Sequence, residues 1–141
     1  MIRWATILIL LPGLAIAGHE LEGRDIDQGR DHYVTHCAAC HGINLQGQPN
    51  WSVANADGTL PAPPHDETGH TWHHDNRLLF DYTALGGELA LKARGISGFK
   101  SAMPGFAETL SEDQIWDTLA YIRSTWSPRI QRAQTLRNPP H

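Results

Sequence analysis

Cys37 and Cys40 stand three positions apart and His41 follows at once, giving Cys37-Ala38-Ala39-Cys40-His41. Two thiols at this spacing can each form a thioether to one vinyl-derived carbon of a haem macrocycle, and the adjacent imidazole is then held against the iron as an axial ligand. Three other chemistries use paired cysteines. A redox dithiol sits at the strand-to-helix turn of a βαβ unit, and no strand pattern flanks this motif. A structural zinc site draws two ligand pairs from separate knuckles, whereas both cysteines of this chain lie in one place. A plain disulfide fits an oxidising compartment but leaves His41 without a role. Covalent attachment of one haem accounts for all three residues, and no second such motif occurs.

Helices must carry these residues. A first helix is predicted from an N-cap at Asp25 or Asp27, running through Tyr33 into the cysteine motif and placing Gly29 and Tyr33 on one face. The stretch from Gly42 to Pro64 is rich in Gly, Pro and Asn and reads as irregular. A second helix is predicted over Asn76 to Leu85, with Asp75 as N-cap, Leu78, Leu79, Tyr82 and Leu85 as its apolar residues, and Gly86-Gly87 as its stop. Ser111 and Gln114 form a capping box that opens a last strong helix bearing Ile115, Trp116, Leu119, Tyr121 and Ile122, which ends before Ser127-Pro128. Residues 129–141 are expected to form no more than a loose turn, because Asn138-Pro139-Pro140-His141 cannot continue a helix. The fold class is therefore all-α, three to four helices with long loops wrapped around one haem.

From Gly29 to Ile122 the chain resembles the class I monohaem cytochromes c of bacterial periplasmic type. In that family a first-helix glycine and an aromatic residue four positions later cross the C-terminal helix at another aromatic, and Gly29, Tyr33 and Tyr121 match that trio. The resemblance also implies an axial methionine. Ser101-Ala102-Met103-Pro104-Gly105-Phe106 is similar to the family's Met-Pro-x-Phe segment, and Pro104 forces Met103 towards extended backbone, free to project its thioether. Thioether opposite imidazole favours ferrous iron and raises the potential. By the same resemblance, Pro49 is expected to accept a hydrogen bond from Nδ1 of His41; through their indole and guanidinium donors, Trp51, Trp72 and Arg77 are candidate partners for the haem propionates.

The least familiar part of the chain is the loop carrying His65, His70, His73 and His74 among Asp66, Glu67 and Asp75. Imidazole and carboxylate donors suit copper or zinc, so a second metal site is one expectation. The other is that these side chains line the haem edge or cap the next helix. His32 and His36, four apart, form a weaker candidate pair.

The first residues read as an export signal: Arg3, an apolar run from Trp4 to Leu11, and Ala15-Ile16-Ala17 as a cleavage site, with cleavage after Ala17. As a helix, Trp4 to Ala17 would reach about 21 Å, short of the roughly 30 Å hydrocarbon layer. Residues 1–17 are thus assigned as signal, 18–128 as the cytochrome domain and 129–141 as a C-terminal extension, with no permanent membrane anchor expected. After cleavage the chain carries 10 Lys and Arg against 15 Asp and Glu. Such acidity argues against a nucleic-acid partner. No nucleophile with a positioned base and no nucleotide loop occurs. The expected role is a periplasmic single-haem electron carrier with His41 and Met103 as axial ligands, not an enzyme, meeting redox proteins of the periplasm or inner membrane. Three other readings stay open: a dedicated subunit of a periplasmic oxidoreductase, a carrier with an added Cu or Zn loop, and a ligand sensor or peroxidase with dissociable Met103.

Overall fold

The computed structural model describes residues 19–139. The export segment and its cleavage point lie outside those residues. In chain order the elements are a 3-10 turn at His19–Leu21, helices α1 (Ile26–His36) and α2 (Ala38–His41), a 3-10 turn at Thr71–His73, then α3 (Asn76–Leu85), α4 (Gly87–Ala93), α5 (Glu112–Ser124) and α6 (Pro128–Thr135). No strand occurs among the described residues, as the all-α expectation requires. Six helices stand where three to four were expected.

Each predicted helix starts where its capping chemistry places it. The Asp25 carboxylate accepts from the Gln28 amide at 3.0 Å, and Asp75 accepts from Leu78 at 2.7 Å. Ser111 and Gln114 exchange both bonds of the capping box, at 3.3 and 2.9 Å. The two unforeseen longer helices have physical reasons. Gly86 stops α3 at φ 83°, but the chain restarts immediately as α4. Pro128 breaks nothing because it sits in the first turn of α6, where a missing N–H costs no hydrogen bond.

α1 crosses α5 at Gly29, where a Cβ would fall on the Asp117 carbonyl oxygen. Only glycine permits that approach. The rings of Tyr33 and Tyr121 fill the crossing at 5.6 Å between centroids. Arg24 ties the helix ends together through Asp113 at 2.8 Å. Two apolar clusters result, one from Leu21, Phe80, Leu110, Ile115 and Leu119, the other from Tyr33, Leu45, Ile122, Trp126 and Ile130.

The segment after Pro128 is no loose turn. Ile130 and Gln134 of α6 are buried, and the Gln134 amide donates to Asn76 Oδ1 at 2.7 Å and to the His74 carbonyl at 3.2 Å. A buried amide with two acceptors fixes α6 to the start of α3.

Candidate haem-binding site

α1 delivers the cysteine motif to the wall of a cavity of about 480 Å³, a size typical of small-molecule and cofactor sites. Cys37 closes α1, its amide donating to the Tyr33 carbonyl at 2.8 Å. The single turn α2 then places Cys37, Cys40 and His41 on the same cavity. Gly42, at φ 82°, ends that turn, and its carbonyl accepts from the Tyr33 hydroxyl at 2.8 Å. Burial pushes the Cys37 thiol up to about 11, with the neighbouring Cys40 adding to it. A redox dithiol requires the opposite shift.

His41 is buried, and its Nδ1 lies 2.8 Å from the Pro63 carbonyl oxygen. A carbonyl can only accept, so the proton sits on Nδ1 and Nε2 keeps its lone pair. Desolvation lowers the pKa of the ring, against the opposing pull of that hydrogen bond. The neutral form is the one that ligates metal.

Pro63 therefore takes the role expected of Pro49, which sits in a turn beside Asn50 at φ 57°. Gln48 donates to the Ala62 carbonyl at 2.8 Å, closing residues 49–61 into an excursion and bringing Pro63 and Pro64 back beside Gly47. The nearest Gly-x-Pro lies inside that excursion. The later cluster Pro61-Ala62-Pro63-Pro64 was the signal for the true partner.

Met103 lines the same cavity. Its amide donates to Ser101 Oγ at 3.1 Å, and its carbonyl accepts from the Gly87 amide at 3.3 Å. Phe106 and Ala107 donate to the carbonyls of Thr83 and Ala84 at 3.0 and 3.1 Å. The methionine loop is thus laced to the end of α3. Glycines at 86 and 105 leave the room, since a Cβ on either would lie within 3 Å of the facing backbone.

The remaining walls are largely apolar, with Leu78, Leu79 and Tyr82 from α3, Leu91 from α4, and Phe99. Leu91 and Phe99 were missed by sequence reasoning because α4 was read as the far side of a stop signal. Trp51 lines the cavity, but Trp72 and Arg77 do not. The Trp72 indole donates to the Glu67 carbonyl at 3.3 Å, and Arg77 pairs with Asp81 at 2.9 Å in solvent. Neither is placed for a propionate.

The loop histidines are divided among separate partners. His65 stacks on His41, with centroids 4.0 Å apart, and its Nδ1 lies 2.8 Å from Thr71 Oγ1. His70 stacks on Trp51 at 5.3 Å, and His73 meets Trp72 edge-on at 3.8 Å. His74 packs edge-on against His70 at 5.4 Å. Among the described residues no three His, Cys, Asp or Glu side chains converge as a metal site would need. The Cu or Zn expectation gains no support. His32 and His36 stand 6.4 Å apart, and His36 reaches the cavity wall against Phe106.

The residues present fit haem c: two thiols and an imidazole from one turn, a thioether from a braced loop, and apolar walls between. A family model for cytochrome c matches residues 26–126. No match was found among curated proteins or among solved structures. With the match spanning more than half its length, the chain belongs to the cytochrome c family.

Proposed function

We propose that this protein is an exported, periplasmic electron carrier holding one haem through Cys37 and Cys40, with His41 and Met103 as the axial ligands. The bound haem supplies a one-electron ferric–ferrous couple. The chain's own residues do the rest. Pro63 orients His41, the bond to Ser101 and the bond from Gly87 hold Met103, and α3 and α4 supply apolar walls that restrict water. The single observation that carries the reading is that all four donors line one apolar cavity.

His41 and Met103 together would leave no site for substrate at the metal, which favours a carrier over a sensor or peroxidase. Export is supported by the Arg3 to Ala17 pattern. No helix among the described residues is long and apolar enough to cross a membrane.

The test is a reductive titration of the holoprotein followed by exposure of the reduced form to carbon monoxide. A reversible one-electron transition with slow, incomplete carbon monoxide binding is expected. Rapid stoichiometric binding at neutral pH would replace the carrier by a ligand-binding haem protein.

A further inference from the structure

Charge is sorted along this chain. Residues 18–117 hold all fifteen carboxylates against six Lys and Arg, whereas the segment from Thr118 onward carries Arg123, Arg129, Arg132 and Arg137 with no Asp or Glu. The acidic net charge conceals this basic end.

The structure turns that sequence bias into a surface. Arg129, Arg132 and Arg137 are exposed on and just beyond α6. Arg123 is half-buried, its guanidinium donating to Thr135 Oγ1 at 3.1 Å. Among the described residues none of the four lies within ion-pair distance of a carboxylate, and the ion pairs that do form engage Arg24, Arg77 and Arg94. Glu67, whose carboxyl is held low chiefly by Ser127 and in lesser part by Arg129, accepts from the Ser127 amide. Leu136 stands among these arginines 85% exposed, more than any other large apolar residue of the described chain.

This face is mechanically continuous with the cavity wall. The Trp126 indole donates to the His65 carbonyl at 2.8 Å, and Gln134 donates to the His74 carbonyl at 3.2 Å. His65 and His74 both line the cavity. α6 lies beyond residues 26–126, so the family match does not supply this surface.

We infer that Arg129, Arg132 and Arg137 with Leu136 form a docking face for an acidic protein surface, whose carboxylates flank an apolar seat for the leucine. Arginine is the cation that grips carboxylates bidentately, and every cation here is arginine. An exposed apolar side chain on the same short segment as three exposed arginines has the composition of an interface centre. An anionic bilayer is the poorer fit. The apolar side of α6 is already spent on the core through Ile130, no Trp, Tyr or Phe lies within the helix, and the rest of the molecule is strongly acidic. Sorted charge of this kind steers a partner to one end and repels it elsewhere.

The inference stands apart from the electron-carrier reading, because binding is measured in either oxidation state. Isotope-labelled holoprotein is titrated at low ionic strength with poly-L-glutamate, with a glutamate–tyrosine copolymer, and with phosphatidylglycerol vesicles. Saturable binding of both polymers is expected, tighter for the copolymer, with amide shifts confined to 123–137 and the adjoining 65–74 loop. R129Q/R132Q should weaken it about tenfold, and L136S should remove the copolymer's advantage. Absence of saturable binding, shifts centred elsewhere, or unchanged affinity in R129Q/R132Q would overturn the inference. Preferential binding to vesicles would overturn it in favour of a membrane, and arginine-dependent self-association without polymer would assign the face to a second copy.

Discussion

The imidazole of His65 lies stacked on that of His41, centroids 4.0 Å apart and planes 22° from parallel. Burial, with His41 and His70 nearby, holds His65 well below the ordinary imidazole range, so the stack joins two neutral rings at neutral pH. His41 is thus confined by the Pro63 carbonyl on one nitrogen and an aromatic face on its plane.

His65→Leu keeps bulk against His41 but removes a polar ring from the haem surroundings. A less polar neighbour favours the less charged ferrous state, so the midpoint potential of the holoprotein should rise. A spectroelectrochemical titration showing no change or a fall would deny His65 this tuning role.

Gly29→Ala should be among the most damaging small substitutions. Its Cβ meets the Asp117 backbone, which has no rotamer by which to move aside. A loss of about 3 kcal/mol is expected from such overpacking. Denaturant unfolding checks it, and a variant within the error of the parent would show that α1 and α5 can separate freely.

Gln134→Leu should cost about 2 kcal/mol, because the His74 carbonyl and Asn76 Oδ1 lose a buried donor. One cooperative transition at a lower midpoint is expected. Two separate transitions would mean that α6 unzips by itself and is not part of the core.

How much of this was legible beforehand depends on what each signal encodes. Caps are local chemistry, so Asp25, Asp75 and Ser111 marked three helix starts correctly. Leu78, Leu79, Tyr82 and Leu85 were recognised as the apolar residues of α3, yet the first three line the cavity and Leu85 is exposed, while Phe80 and Ala84 meet the protein core. Periodicity reports that a side chain leaves water, and is silent on whether protein or cofactor receives it. The motif at Cys37 to His41 came from spacing, and Met103 from its resemblance to the family's Met-Pro-x-Phe segment. Pro63 came from neither, because only the folded excursion of residues 49–61 decides which proline returns to His41. Net charge hides the sorting of charge for a related reason: it averages an acidic body and a basic C-terminal segment.

Acid should weaken the fold in part through His70 and His74, whose pKa values burial lowers and neighbouring histidines lower further. Asp75 opposes the shift at His74, and Arg137 adds to it. A histidine neutral in the folded state leaves the unfolded chain to bind protons first as pH falls through about 6.5. Their contribution is therefore full above that pH and lost below it. Unfolding midpoints between pH 7.5 and about 5 should fall less steeply in His74→Gln than in the parent; equal slopes would mean the ring titrates alike in both states.

The proposed ligation by His41 and Met103 is probed by the near-infrared magnetic circular dichroism of the oxidised holoprotein. Charge-transfer bands in that region distinguish thioether from imidazole opposite His41. A thioether signature is expected at neutral pH, lost in Met103→Ala together with a fall in reduction potential. A bis-imidazole or water-ligated signature in the parent protein, or a thioether signature that survives the substitution, would contradict it.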